Sequence, residues 1–341
     1  MPAAIALTPI LSARYRAEHL ERIRASAPGA RLINVSLEGL ADGDLSDVEV
    51  LLRGPLPAAI FDRLMARCPE LTWVHSATAG VERVLTPAAL ERQLVITNAR
   101  GVFSRPIAEY VLMMVLAISR RLPQLLELQG ERTWQPLESV EMRDLTIGVV
   151  GLGSIGRAVA ALAGGFGCRV LAVRRQVTAG VTTGVAPGLG DDEDAPELPV
   201  RVDAMVPPER IHEVLAESDF VVLGLPLTPE TEDLFDEPML AHMKPGSWLI
   251  NVARGRLVDE RALLRALRDG PLGGAVLDTF RDEPLPPESP LYMLPNVILT
   301  PHTSWSSGRV LDRSIELFCD NLRRYQVGEP LRNVVDPGLG Y

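Results

Sequence analysis

The stretch LTIGVVGLGSIGRAVAALAGGF, residues 145–166, decides how the rest of the chain is read. LTIGVV has the length and β-branched content of a buried strand. Glycines then fall in GxGxxG spacing at Gly151, Gly153 and Gly156, and RAVAALAGGF continues as a helix. The first glycine allows a tight turn, the second lets a pyrophosphate approach the backbone, and the third lets helix and strand pack closely. Free N–H groups at the helix start, around Ser154 and Ile155, then face the phosphate charge. The spacing alone is weak evidence. With a strand before it, a helix after it and the apolar run RVLAV beyond, it marks the start of a dinucleotide-binding unit.

That next run ends in LAVRRQ, residues 171–176. A protein selective for NAD usually places Asp or Glu here to meet the ribose hydroxyls. This chain has Arg174, with Arg175 beside it. A carboxylate would repel a 2′-phosphate, whereas a guanidinium donates paired hydrogen bonds to it. NADP(H) is therefore expected over NAD(H); the alternative is an ordinary pair of solvated strand-end charges.

Working outward, apolar runs alternate with helical patterns along the chain, which indicates an α/β fold with parallel strands. RLINVSL, VEVLLRG, LTWVHSA and LVITNA are the expected strands of a first lobe. A long helix begins near Ser104. After it LTIGVVG, RVLAV, DFVVLGLPL, SWLINV, GGAVLDTF and NVILTPH supply enough strands for a doubly wound sheet. The last helix, from about Ser307 to Tyr325, follows that sheet and should return to the first lobe. The expected division is thus a smaller substrate domain from 1–103 and 306–341, with a cofactor domain at 104–305 inserted in it. Residues 176–206 fit neither pattern and are read as a long loop whose acidic run, Asp191 to Asp194, is a solvated tip.

Composition narrows the function. With 341 residues, 47% hydrophobic and 23% charged, the chain is of globular type. A formal charge of -10 argues against nucleic acid, whose phosphates require clustered Lys and Arg. The most apolar helix, PIAEYVLMMVLAISRRL, carries Glu109 and ends in arginines, so no membrane span is expected. The cysteines Cys68, Cys168 and Cys319 are odd in number and widely spaced, which fits a reducing cytoplasm; no metal is expected.

Three later segments place a polar residue just past an apolar strand, at the carboxyl edge where open α/β sheets bind ligands. Arg254 follows SWLINV, Glu283 follows AVLDTF, and His302 follows NVILTP. Each type has a task in reducing a 2-oxo acid. Arg254 can pair with the substrate carboxylate and polarise the neighbouring carbonyl. Imidazole exchanges a proton near neutral pH, so His302 can deliver one to the carbonyl oxygen as hydride arrives. Glu283 can orient that ring and stabilise its charged form.

TNARGVFSRPIAEYVL, GLGSIGRAVA, LPLTPETEDLFD, MKPGSWLINVARGRLVDERAL, GAVLDTFRDEPLP and TPHTSW occur in one order across roughly residues 70 to 310. In these stretches the chain resembles the D-isomer-specific 2-hydroxyacid dehydrogenase family. The resemblance implies two Rossmann-like domains, the smaller one flavodoxin-like, and Arg254, Glu283 and His302 as the catalytic arginine, glutamate and histidine. It implies that backbone at Ala79 and Gly80 helps bind the substrate carboxylate, and that Pro226, Thr231, Val252, Ala253 and Asp278 line the cofactor site. Arg174 in place of an acid is similar to the family's NADP-preferring glyoxylate and hydroxypyruvate reductases. The resemblance further implies a homodimer joined through the cofactor domain, with MMVLAISRRL and the arm around Trp134 in the interface; for Met113 and Met114, intradomain core is the other reading. Formate dehydrogenases usually carry glutamine where Glu283 stands. Corepressors of the C-terminal-binding-protein type keep the fold as dinucleotide-sensing scaffolds. Phosphoglycerate dehydrogenases often bear a regulatory domain, which the end at Tyr341 makes less expected here.

Overall fold

The apolar stretch near the N-terminus, AIAL, forms a strand, β1 (Ala4–Leu7), at the inside of a parallel sheet. The computed structural model describes residues 2–10, 15–175, 184–185 and 200–338. It divides into two units, Met1–Phe103 with Ser307–Tyr341, and Ser104–Ser306.

In the first unit β1 is followed by α1 (Ala17–Ser26), β2 (Arg31–Asn34), β3 (Val48–Arg53), α2 (Ala58–Ala66), β4 (Trp73–Ser76), α3 (Pro87–Glu91) and β5 (Val95–Asn98). The strand order is β2-β1-β3-β4-β5 with every pairing parallel, the flavodoxin-like order. Because the sheet is covered on both faces, its central strands are buried at nearly every position rather than alternately. In β1, Ala4 and Ala6 face the cluster that includes Phe61, Leu64 and Met65 of α2. Ile5 and Leu7 face the opposite one, with Ile315, Phe318 and Leu322 of the helix Val310–Val327. The helix Val310–Val327 thus shares one face of this core with Ile23 of α1 and Ala27. Trp73 stacks on Phe318 and Tyr325, with ring centroids 5.5 and 5.3 Å away. Each fully buried side chain of this kind contributes roughly 1.5–3 kcal/mol.

Arg53, at the end of β3, is 1% exposed. Its guanidinium donates to the carbonyl oxygens of Gly54, Leu56 and Arg83 and lies over the Phe61 ring.

The second unit contains α4 (Ser104–Ser119), α5 (Leu122–Gly130), β6 (Thr146–Val150), α6 (Ser154–Gly165), β7 (Arg169–Val173), β8 (Gly184–Val185), β9 (Arg201–Val202) and β10 (Ala204–Val206). It continues through α7 (Ile211–Glu217), β11 (Phe220–Leu223), α8 (Glu237–Ala241), β12 (Trp248–Asn251), α9 (Glu260–Arg268), β13 (Gly274–Leu277) and β14 (Val297–Leu299). The main sheet runs β10-β7-β6-β11-β12-β13-β14, all parallel. The six expected strands are present, with β10 added at the edge beside β7. The expected loop 176–206 is therefore corrected at its ends, where β8 pairs antiparallel with β9 and β10 joins the sheet. Its remaining residues, including Asp191 to Asp194, lie outside the described residues.

On α4 the two methionines separate: Met114 is 7% exposed and belongs to the core, while Met113 is 52% exposed. Leu122, Leu125 and Leu126 of α5 and Trp134 beyond it also present apolar surface. Among the described residues no helix is long and apolar enough to cross a membrane.

Candidate active site

Strand order reverses at β6, which pairs with β7 on one side and β11 on the other. Ligands bind at such a switch point, outside the carboxyl ends of the strands. The turn there starts at Gly151, which has φ +101° and donates its N–H to the Val173 carbonyl at 3.1 Å. A Cβ on Gly151 would lie 2.8 Å from the Gly224 backbone, and one on Gly156 only 2.1 Å from the Gly151 carbonyl oxygen. The protein itself fills these two spaces. A Cβ on Gly153 would meet nothing within 4 Å, so the middle glycine leaves room for a ligand to reach the backbone. Gly153 is the N-cap of α6, and the first N–H groups of a helix, here from Ser154 and Ile155, have no partner within it. A diphosphate fits this cradle by space and by charge.

The neighbouring strand ends supply the remaining expected cofactor residues. Arg174, half-buried, is held at the end of β7 by its N–H donating to Val206 of β10 at 3.0 Å; Arg175 is exposed. After β11, the Thr231 hydroxyl donates to the Pro226 carbonyl at 2.7 Å and accepts from the Thr228 N–H at 2.8 Å, closing that loop. After β12, Val252 and Ala253 are buried. Asn251 makes the turn that follows: its Oδ1 accepts from the Ala253 N–H and its Nδ2 donates to the Arg254 carbonyl. Sequence reasoning passed over Asn251.

Arg254 follows this turn, half-buried, with Nη1 donating to the Ala253 carbonyl at 2.8 Å. Next to it, a Cβ on Gly255 would lie 1.9 Å from the Phe280 carbonyl carbon. The Arg254 turn therefore rests directly on the backbone of the segment that carries Glu283. In that segment Glu283 Oε1 accepts from the Phe280 N–H at 3.0 Å, and Oε2 lies 2.9 Å from His302 Nδ1. Burial raises the Glu283 carboxyl, but the hydrogen bonds from His302 and Phe280 and the charges of His302 and Arg254 outweigh it and hold it below the ordinary glutamate value. The side chains of Glu283 and His302 stay 38% and 39% exposed, so the pair is open to a substrate. With Nδ1 turned to Glu283, Nε2 is the nitrogen left for a reacting group.

His302 itself has φ +52°, in the left-handed region that few non-glycine residues occupy. Its N–H donates to the Thr300 carbonyl at 3.0 Å and its carbonyl accepts from Trp305 Nε1 at 2.7 Å. Asp278, 0% exposed, anchors the same loop. Its carboxylate accepts from the Thr300 hydroxyl at 2.6 Å and from the N–H groups of Thr303 and Ser304 at 2.8 and 2.9 Å. Asp278, expected along the cofactor site, also serves as a scaffold for the histidine loop.

Ala79 and Gly80 follow β4 in the first unit. The carbonyls of Thr78, Ala79 and Gly80 accept from the Ala99 N–H, Asn98 Nδ2 and the Thr78 hydroxyl. In a planar trans peptide the N–H points opposite to the C=O. The N–H groups of Ala79, Gly80 and Val81 are thus turned away from those partners.

A doubly wound unit with a glycine turn open to a ligand and a carboxylate–imidazole pair at the same sheet edge fits a dinucleotide-dependent oxidoreductase. Residues 112–304 match the family model described as D-isomer specific 2-hydroxyacid dehydrogenase, NAD binding domain. The chain is 34% identical over 295 residues to a glyoxylate reductase of Korarchaeum cryptofilum, covering 84% of this chain and 81% of that protein. Among solved structures it is similar to a D-isomer specific 2-hydroxyacid dehydrogenase from Xanthobacter autotrophicus Py2 in complex with NADPH and MES, with TM-score 0.83, 30% identity and 100% of both chains covered. It is also similar to an NADPH-dependent glyoxylate/hydroxypyruvate reductase from Sinorhizobium meliloti in complex with NADP and sulfate, with TM-score 0.80, 26% identity, and 99% and 100% covered. The chain belongs to the D-isomer-specific 2-hydroxyacid dehydrogenase family, enzymes that act on the CH–OH group of their donors.

Proposed function

We propose that this enzyme reduces glyoxylate, hydroxypyruvate or a related 2-oxo acid to the D-2-hydroxy acid, with NADP(H) preferred over NAD(H). The observation that carries the reading is the 2.9 Å contact between Glu283 and His302, on the sheet edge that also bears Arg254. When bound, the reduced nicotinamide supplies the hydride. His302 Nε2 delivers the proton to the carbonyl oxygen, and Glu283 fixes the ring and stabilises its charged form. Arg254 pairs with the substrate carboxylate and draws electron density from the reacting carbonyl.

Arg174 and Arg175 are assigned to the 2′-phosphate. Their place at the end of β7, and the NADP(H) in both similar structures, support this. Leu122, Leu125, Leu126 and Trp134, exposed on the arm after α4, support a homodimer through the cofactor domain. Three free, buried cysteines fit a cytoplasmic setting.

The test is a screen of glyoxylate, hydroxypyruvate, pyruvate and phenylpyruvate with NADPH and with NADH, run beside His302→Ala. Turnover should appear with NADPH and be largely lost in the variant while dinucleotide binding persists. Absence of turnover with every pair would overturn the reading.

A further inference from the structure

Tyr110 lies on α4, a helix that carries none of Arg254, Glu283 and His302, and is 9% exposed. Its hydroxyl is 2.7 Å from the Thr300 hydroxyl. Burial pushes the phenol up to about 12, so the group stays neutral and keeps its proton. Thr300 donates its single proton to Asp278 Oδ1 at 2.6 Å. Its oxygen must therefore accept, and Tyr110 must donate. The bonds run in one direction, from Tyr110 to Thr300 to Asp278. Asp278 then holds the N–H groups of Thr303 and Ser304. His302, between these anchors, has a left-handed backbone that a free loop would rarely adopt.

We infer that Tyr110 is a positioning residue for His302, acting through Thr300 and Asp278. The inference rests on the reading of His302 as proton donor. Without the phenolic donor, Thr300 loses one of the two bonds that set its rotamer. The loop that keeps His302 Nδ1 on Glu283 then loses the outermost link of the chain that fixes Asp278 and Thr300. Tyr110 touches neither member of the acid–base pair, so its removal acts on the aim of the imidazole and leaves substrate and dinucleotide affinity in place.

Tyr110→Phe deletes one oxygen and keeps the buried ring. It should lower kcat about 10-fold, the scale of one broken buried hydrogen bond, with KM and the NADPH Kd within about twofold of wild type. Thr300→Val should lower kcat at least as much, and Thr300→Ser, which restores the hydroxyl, should recover most of that loss. Combining Tyr110→Phe with Thr300→Val should add little to Thr300→Val alone. A second readout does not depend on turnover: the His302 ring resonance, identified among the five histidines by its loss in His302→Ala. It should move in Tyr110→Phe and Thr300→Val and return in Thr300→Ser.

An unmoved resonance together with wild-type kcat in Tyr110→Phe overturns the inference. So does equal loss in Thr300→Ser and Thr300→Val, which would mean that packing, not the hydroxyl, matters. If wild type turns over none of the four oxo acids, the proposed function fails, and the resonance still decides whether Tyr110 sets the histidine.

Discussion

Replacing Glu283 with glutamine isolates what the carboxylate charge does, because shape and both hydrogen-bonding positions are kept. In the structure Oε1 is fixed by the Phe280 N–H at 3.0 Å, and Oε2 meets His302 Nδ1 at 2.9 Å. With the Phe280 bond retained, the glutamine amide would turn its NH2 toward Nδ1 and require a lone pair there. The ring would then carry its proton on Nε2 as a neutral group, a far weaker acid than imidazolium. Charge centres about 4 Å apart attract by roughly 1 to 4 kcal/mol at effective dielectric constants between bulk water and a protein surface. Both side chains are more than a third exposed, so screening selects the lower end, about 1–2 kcal/mol. That predicts a ~5–30-fold loss in the reductive rate near neutral pH. The pH at which this rate falls by half should move down by about 1 unit. Glu283 is depressed below the ordinary glutamate value. Its contribution is therefore fully present above that value and is lost only as pH falls through the depressed one, so wild type should keep this pairing throughout the neutral range. Initial rates of oxo-acid reduction, followed across pH by the loss of reduced-nicotinamide absorbance, measure both quantities. A Glu283→Gln rate within twofold of wild type, with the same half-fall pH, would refute the reasoning.

Arg174→Asp should weaken NADPH far more than NADH, read from the two dissociation constants by fluorescence titration; equal weakening, or none, returns Arg174 and Arg175 to surface charge. The glycines of the cradle should separate fold from binding. Gly156→Ala, whose Cβ would fall 2.1 Å from the Gly151 oxygen, should lower stability by about 1–3 kcal/mol. Gly153→Ala meets open space and should change stability by under ~1 kcal/mol while weakening dinucleotide binding. Thermal melting and dinucleotide titration of the two variants compare them, and a Gly153→Ala protein that binds normally would place the phosphates elsewhere.

The fold was legible where strands are long, apolar and followed by a clear helix. LTIGVV, DFVVLGL and SWLINV are buried on both faces and have the continuous runs that parallel strands require. β1 escaped because AIAL is only four residues long and alanine-rich, and its stability comes from partners on either side, β2 and β3, that no local pattern announces. β10 escaped for a related reason: Ala204–Val206 gains its hydrogen bonds from β7, across a segment with no periodicity of its own. In the site, Glu283 and His302 were legible because each follows a strand that ends at one sheet edge. Asn251, Thr300 and Tyr110 were not, since their roles are hydrogen bonds made across the fold, up to 190 positions apart for Tyr110 and Thr300. The place of Arg53 was not legible because sequence reports a charge and not its burial; three carbonyls accept from its guanidinium.

The contact at Gly255 has a consequence for how such a site can change over time. A Cβ there would overlap the Phe280 carbonyl, so the spacing between the arginine turn and the glutamate segment is set by the absence of a single methyl group. Position 255 acts as a ruler. Substrate preference can drift through side chains elsewhere, because they alter what is grasped. A methyl at position 255 would alter the gauge itself, driving the Arg254 turn away from the segment that carries Glu283, even with both side chains still present.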